Sequence, residues 1–260
     1  VGSFDFAESV LVAELYAQVL EAEGFRVERQ QAIGPREVVA PALEAGLLDV
    51  VPEYLGTARG HFAPDPADDA SVAAELRRRG LTLLEPAPAQ EVNVFVVTVE
   101  LAAEYGLRSI GDVAVLPSAR RLGGPVECPD RPLCLLGLEE TYGLSFVEFV
   151  PLRSLDLTAE ALRRDEIDVG VMFSTAAQLD PSEFVALDDD LGLQPAENVT
   201  PLVRTAALAA WGPALEQTLN RLSGRLTTGT LQALNRQIDN GLATEVVAAA
   251  WLERVALVPD

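Results

Sequence analysis

Several residue types that carry chemistry are scarce or missing in this sequence. Lysine does not occur, so all 19 basic residues are arginine, and there are only one histidine, His61, one methionine and two cysteines. The sequence therefore offers no His and Cys cluster for zinc and no P-loop lysine for a nucleotide. We expect no metal ion and no cofactor, and we expect residues 188–190, three aspartates, to form a solvated loop.

Basic charge and long apolar runs are also lacking. The chain has 40 acidic residues against 19 basic ones, a formal net charge of -21. Such a surface repels phosphate backbones and anionic lipid, which excludes nucleic acid as a natural partner. No apolar run approaches the roughly 18 residues that a membrane helix needs. The chain begins at Val1, as though a leader or anchor had been removed, so we expect membrane contact only through a lipid anchor outside this sequence.

The composition that remains is typical of a folded, soluble protein. Hydrophobic residues make up 49% and charged residues 23% of the 260 residues, which is ordinary for globular chains. This length predicts about two domains. Disorder and low-complexity structure are excluded, because the chain has enough apolar residues to form a substantial core.

Hydrophobic periodicity predicts strands that alternate with helices from the start of the chain. The first residues resemble a strand, an amphipathic helix ends at Gly24, and alternation over residues 25–29 predicts another strand. Together these elements predict a βαβ opening. Two β-rich runs, at 91–100 and 198–204, are predicted to connect two lobes. From Pro213 onward the apolar spacing predicts helices that pack back onto the first lobe.

Two segments of the chain resemble each other, which predicts two similar α/β lobes. In each, a helix end is followed by an acidic strand start, so that Asp49 corresponds to Asp168 and Tyr54 to Phe173. The alternative is that such joints look alike in any α/β protein. Ligands bind at the carboxyl ends of strands in open sheets, where two aromatic rings would attract an organic cation. Otherwise both rings are ordinary core residues.

The two cysteines, Cys128 and Cys134, lie close together in the sequence and enclose Arg131. An exported protein would oxidise them to a disulfide, whereas in a reducing compartment they would remain two buried thiols. A disulfide loop would hold Arg131 in one orientation, which suits capture of a carboxylate by a bidentate contact. A surface salt bridge is the alternative for this arginine.

Several long motifs together resemble the substrate-binding components of ABC importers for glycine betaine, choline and related compatible solutes. Their order and spacing agree over almost the whole chain. The motifs are VGSFDFAES, EAGLLDVVPEYLGT, VNVFVVTVELAAEYGLRSIGDV, LGGPVECPDRP, RRDEIDVGVMFST and DDLGLQPAENVTPLVR.

This resemblance implies an α/β, two-lobed periplasmic-binding-protein fold of type II with two hinge crossings. Residues 1–93 and 204–260 would form the first lobe and residues 94–203 the second, with crossings near 91–97 and 198–204. Such proteins are not enzymes. The chain would work outside the cytoplasm as a monomer, either in the periplasm or as a membrane-anchored lipoprotein. It would bind a quaternary-ammonium osmolyte in the interlobe cleft and deliver it to an ABC permease and its ATPase.

The resemblance also implies roles for individual residues. Tyr54 would form part of an aromatic cage around the ammonium group, whereas Thr57 and Arg131 would bind the carboxylate. Ser3 lies in the first ligand loop. The disulfide Cys128–Cys134 is a further expectation.

Four positions depart from the family pattern. Phe4 stands where a family lysine is expected, Asn93 and Phe173 replace cage tyrosines, and Glu197 lies where another cage tyrosine is missing. Fewer aromatic walls weaken cation-π binding by about 0.5–2 kcal/mol per ring. All four are candidate ligand residues, and the departures leave a different small polar solute, or a sensor domain on the same fold, as alternative functions.

Overall fold

The computed structural model describes residues 1–63, 69–117 and 120–258, and the contacts between residues divide the chain into two units. Unit 1 consists of Val1–Gln90 and Ala196–Asp260, and unit 2 consists of Glu91–Pro195. The family resemblance predicts that residues 94–203 form the second lobe. The strand Val199–Arg204 instead lies in unit 1, because it pairs there with the strand Val50–Tyr54.

Helices and strands follow one another through both units. Unit 1 starts with α1 (Ala7–Ala22), α2 (Arg36–Glu44), β1 (Val50–Tyr54), α3 (Leu55–Phe62), α4 (Asp69–Arg78) and β2 (Leu81–Leu83). Unit 2 follows with β3 (Asn93–Thr98), α5 (Val99–Tyr105), β4 (Arg121–Gly124), α6 (Leu135–Tyr142), β5 (Glu148–Pro151), α7 (Leu155–Arg163), β6 (Val169–Phe173) and β7 (Phe184–Ala186). The chain returns to unit 1 with β8 (Val199–Arg204), α8 (Thr205–Trp211), α9 (Pro213–Ser223), α10 (Thr228–Asp239) and α11 (Thr244–Arg254).

The sheet of unit 1 is antiparallel, with the strand order β1-β8-β2. Helix α1 packs into its core with Leu11, Leu15 and Val19, which are fully buried. These residues share one face of the helix because they recur at helical spacing. Apolar residues of α9, α10 and α11 belong to the same core. The prediction that the last part of the chain packs onto the first lobe is therefore confirmed.

The predicted βαβ opening is wrong. Residues 1–4 and 25–29 form no named strand, and a single parallel bridge joins Gly2 to Gln30. The chain turns away after this bridge, because Ala32 has a left-handed backbone (φ 51°) and donates its N–H to the Ser3 hydroxyl at 2.8 Å. The backbone pairing between the first residues and the segment that ends at Gln30 therefore does not continue past this bridge, and no pair of strands forms.

The sheet of unit 2 is mixed, with the strand order β5-β4-β6-β3-β7. Strand β4 pairs in parallel with β5 and β6, whereas β3 pairs antiparallel with β6 and β7. Phe95 and Val96, neighbours in β3, belong to two different buried clusters. Because side chains alternate along a strand, this sheet is covered on both faces. Strand β3 ends where the Thr98 hydroxyl accepts the Leu101 N–H at 3.1 Å and caps α5.

Asp49 and Asp168, the acidic residues that correspond in the two similar segments, each lie directly before a strand. Strand β1 begins directly after Asp49, and β6 begins directly after Asp168. Both strands are five residues long. Tyr54 and Phe173 are therefore the last residues of corresponding strands, as the similarity of the two segments predicts.

Candidate functional site

Three aromatic rings lie together in unit 1, where the N-terminal loop meets the end of β1. The ring centroids of Phe4 and Phe6 are 6.0 Å apart and those of Phe6 and Tyr54 are 5.7 Å apart. Phe4 and Tyr54 are buried, whereas Phe6 is 38% exposed. The Tyr54 hydroxyl donates to the buried Glu8 carboxylate at 3.1 Å. We call these three rings the aromatic cluster; its accessible ring, Phe6, packs against Tyr54, whose hydroxyl is bonded to Glu8.

Arg36 brings positive charge to the aromatic cluster. Its guanidinium carbon lies 5.3 Å from the centroid of the Phe4 ring. Its Nε donates to Glu53 Oε1 at 2.5 Å, and its Nη2 donates to Thr57 Oγ1 at 2.9 Å. The Glu53 side chain is only 1% exposed, and a carboxylate that is removed from water needs such a partner. Arg36 therefore connects β1 with α3 and with the aromatic cluster.

The first turn of α3 binds a carboxylate of the protein itself. The N–H groups of Gly56 and Thr57 donate to Glu197 Oε2 at 3.0 and 3.1 Å. The first N–H groups of a helix have no partner within the helix and carry partial positive charge, which favours an anion there. A Cβ at Gly56 would lie only 2.9 Å from the Glu197 carboxyl carbon, so glycine permits this approach. Glu197 therefore occupies the donors at the start of α3.

Burial raises the pKa of two carboxyl groups in this part of unit 1. It raises the pKa of Glu53 to about 7, although Arg36 opposes the shift. Burial also raises the pKa of Glu197, although the hydrogen bonds from Thr57 and Gly56 oppose it. A nearby opposite charge favours the ionised form of a carboxyl, so an additional cation would lower both pKa values and would itself be stabilised by the ionised carboxylates.

The raised pKa of Glu53 predicts that stability depends on pH. The unfolded chain titrates this carboxyl near its ordinary value of 4.5, so between that pH and about 7 the folded state binds more protons. The free energy of unfolding therefore falls as the pH rises through this window, by a contribution of at most about 3 kcal/mol. The substitution Glu53→Gln removes this contribution. We expect the melting temperature of this variant, relative to wild type, to rise between about pH 5 and pH 8.

Thermal unfolding followed by circular dichroism at several pH values in that window measures this difference. The matched control is Glu85→Gln, which removes the same charge from an exposed position of unit 1. Its melting temperature should differ from wild type by a constant amount. Parallel curves for Glu53→Gln and wild type would contradict the raised pKa.

Unit 2 contains a cavity of about 400 Å³, which we call the unit 2 cavity, lined by Asn93, Arg131 and Phe173 among other residues. The cavity is also lined by Cys128 and Cys134, which form a disulfide with their Cα atoms 5.2 Å apart. Arg131 is exposed within the disulfide loop, and Phe173, the last residue of β6, is 37% exposed. An accessible guanidinium in the lining of a cavity suits an anionic group of a small molecule.

The wall of the unit 2 cavity is held by the carbonyl oxygen of Leu133. This oxygen accepts the Asn93 side-chain amide at 3.3 Å and the Gln194 side-chain amide at 2.9 Å. Asn93 and Gln194 lie near the first and last residues of unit 2. Asn93 therefore lines the cavity and also holds the disulfide loop.

The residues predicted to bind ligand fall into two groups, one in each unit. The unit 1 group is Ser3, Phe4, Tyr54, Thr57 and Glu197, and the unit 2 group is Asn93, Arg131 and Phe173. Ser3 is fully buried, and its hydroxyl accepts the Ala32 N–H at 2.8 Å. Its contact with a ligand stays a prediction.

Three charged residues around the aromatic cluster are not predicted from the sequence: Glu8, Arg36 and Glu53. A signal was present for Glu53, because a carboxylate inside the otherwise apolar strand β1 requires a partner. No comparable signal marks the other two. Arg36 is 17 positions from Glu53, and Glu8 is 46 positions from Tyr54.

The chemistry offered by these residues is that of binding. In the part of the chain that the structure describes, no group of three His, Cys, Asp or Glu side chains is placed to hold a metal ion. His61 packs edge-on against the Phe62 ring with their centroids 4.8 Å apart. None of the helices in residues 1–63, 69–117 and 120–258 is long and apolar enough to span a bilayer. Unit 1 offers aromatic rings with carboxylates, and unit 2 offers a cavity with an arginine.

Known proteins match this chain over nearly its full length. Residues 1–254 match the family model described as the substrate binding domain of ABC-type glycine betaine transport system. The glycine betaine-binding protein YehZ of Escherichia coli K12 is 27% identical, over 98% of this chain and 89% of that protein. The carnitine transport binding protein OpuCC of Listeria monocytogenes is 23% identical, over 98% of this chain and 85% of that protein. The solved structure of apo YehZ covers 99% of this chain and 98% of its own, with a TM-score of 0.85 and 26% identity.

Proposed function

The chain belongs to the family of substrate-binding domains of ABC-type glycine betaine transport systems, and from this we propose that it binds a small quaternary-ammonium osmolyte of the glycine betaine or choline type. Members of this family bind and deliver a solute and are not enzymes. The predicted α/β periplasmic-binding-protein fold of type II is confirmed.

The aromatic cluster is the observation that carries this proposal. A quaternary ammonium group binds over aromatic faces with about 0.5–2 kcal/mol per ring. Phe6 is the accessible ring, and it contacts both Phe4 and Tyr54. The carboxylates of Glu8 and Glu197 lie in the same region of unit 1, so they add Coulomb attraction for a cation.

We assign the carboxylate of a zwitterionic osmolyte to Arg131 in unit 2. Its guanidinium lines the unit 2 cavity and is exposed there. The resemblance also assigns a carboxylate to Thr57. The Thr57 hydroxyl accepts a hydrogen bond from Arg36, and the Thr57 N–H donates to Glu197. In this proposal Thr57 therefore holds these two side chains in place, and Arg131 binds the ligand carboxylate. Asn93 and Phe173 complete the walls around it.

We propose that the chain works on the outer side of the cytoplasmic membrane as a single copy. An ABC permease and its ATPase would be its partners, and a lipid anchor outside this sequence would hold it at the membrane. The two-unit architecture and the family support this assignment. A ligand that binds one conformation of the chain better than another would drive the change that the permease recognises.

The experiment is calorimetric titration of the purified chain, refolded from denaturant to remove any bound solute. Glycine betaine and choline are the ligands, and 3,3-dimethyl-1-butanol, an uncharged analogue of choline with the same shape, is the control ligand. We expect saturable binding of one molecule per chain for at least one of the two osmolytes. The uncharged analogue should bind at least about tenfold more weakly, because it has no cationic charge for the rings and carboxylates.

A pair of tyrosine variants tests whether the ligand binds in unit 1. Tyr54→Ala should weaken binding more than about tenfold, because it removes a ring and a partner of Glu8. Tyr105→Ala, at an exposed tyrosine of unit 2, is the matched control and should leave the affinity unchanged. Absence of binding by both osmolytes would refute the proposed ligand class.

A further inference from the structure

Glu197 occupies the hydrogen-bond donors of unit 1 that suit a carboxylate. One of its oxygens accepts the N–H groups of Gly56 and Thr57, and the Thr57 hydroxyl lies 3.5 Å from the same oxygen. The Glu197 residue is only 8% exposed. The missing side chain of Gly56 creates the room for this carboxylate, since a Cβ there would lie 2.9 Å from it. The donors at the start of α3 are therefore used by the protein itself.

A ligand carboxylate could reach these donors only by displacing Glu197. Displacement would leave a buried carboxylate without its two N–H partners, which is strongly unfavourable. The other charges in this region add to the effect. Glu8 is a buried carboxylate, and Arg36, the cation that could bind an anion here, is already bonded to Glu53 and Thr57. Unit 1 therefore repels a second carboxylate and attracts a cation.

We propose that Glu197 is a specificity-determining residue that excludes ligand carboxylates from unit 1 and acts as the counter-charge for the ammonium group. This inference rests on the proposed function and deepens it. The aromatic and acidic groups of unit 1 would then bind the ammonium group, whereas a carboxylate would find the donors at the start of α3 already occupied by Glu197. A ligand with a cationic end but no carboxylate, such as choline, would use every group of unit 1.

Two variants of Glu197 test this role by calorimetric titration with choline and glycine betaine. These ligands share the trimethylammonium group and differ in a hydroxyl against a carboxylate. Glu197→Gln removes the charge and keeps an oxygen that accepts both N–H groups, so the fold is retained. Glu197→Ala removes the acceptor as well and leaves the donors of α3 open.

We expect both variants to bind choline more weakly than wild type. In Glu197→Ala the association constant for choline, divided by that for glycine betaine, should fall at least about tenfold, because the vacated donors then accept a carboxylate. Glu197→Gln should lower the same ratio by a smaller factor. Glu85→Gln, an exposed glutamate of unit 1, removes an equal charge and should leave the ratio unchanged.

The outcomes separate this inference from the proposed function. An unchanged ratio in both Glu197 variants, or a ratio that moves in favour of choline, overturns the role of Glu197 while the osmolyte-binding function stands. If wild type binds neither ligand, the proposed function fails and the inference fails with it. A lowered ratio in both variants, with an unchanged ratio in Glu85→Gln, supports the inference.

Discussion

Replacing Arg131 with Ala is expected to weaken glycine betaine binding at least about tenfold, while choline binding changes by less than about threefold. Arg131 is the exposed guanidinium of the unit 2 cavity. Hydrogen bonds to a charged group contribute about 1.5–3 kcal/mol, which corresponds to more than a tenfold change in affinity. Choline has no carboxylate, so it does not use this contribution. Calorimetric titration of wild type and variant with both ligands measures the difference.

Two further variants define the origin of the effect. Arg131→Lys keeps the charge but loses the planar pair of donors, so its affinity for glycine betaine should lie between those of wild type and Arg131→Ala. Arg108→Ala removes an exposed arginine of the same unit outside the cavity. It should have no effect, because distant exposed charges are screened. Equal losses of both ligands in Arg131→Ala would contradict the assignment of the carboxylate to Arg131.

The second large effect concerns stability. Arg36→Ala is expected to lower the free energy of unfolding by about 3 kcal/mol at pH 8, because it leaves the Glu53 carboxylate buried without a cation. The Glu53 side chain is 1% exposed, and its pKa is about 7. At pH 5 the carboxyl is largely protonated, so the loss should be smaller. Urea unfolding curves at the two pH values measure both free energies.

The control for this prediction is an exposed ion pair in the same unit. Arg26 and Glu28 lie 3.3 Å apart with side chains 88% and 76% exposed. Arg26→Ala should change stability by less than about 1 kcal/mol at either pH. Combining Arg36→Ala with Glu53→Gln should restore part of the loss at pH 8, because no buried charge remains. A loss equal at both pH values would show that packing, not the Glu53 charge, causes the effect.

Some features of this protein follow from the sequence because they depend on local patterns. Leu11, Leu15 and Val19 recur at helical spacing, and this spacing alone places them on the buried face of α1. The strand ends at Tyr54 and Phe173 follow from similar helix-strand joints. The family follows from motifs along almost the whole chain.

One local pattern was misleading. Alternation over residues 25–29 predicts a strand, but among the residues that the structure describes this segment has no strand partner, and only the neighbouring Gln30 forms a bridge, with Gly2. A strand requires a neighbouring extended segment to complete its backbone hydrogen bonds. Whether such a neighbour is available depends on the turn at Ala32, and alternation in the sequence does not report that turn.

The charged contacts of unit 1 were decided by the tertiary structure. Glu197 lies 141 positions from Gly56, and Arg36 lies 17 positions from Glu53. Residue type indicates that a buried carboxylate needs a partner, but only packing determines which donor reaches it. The sequence by itself therefore determined the family, the α/β class and the candidate residues. Only the folded chain decided that Glu197 occupies the start of α3, because that contact depends on bringing two remote segments of unit 1 within hydrogen-bond distance.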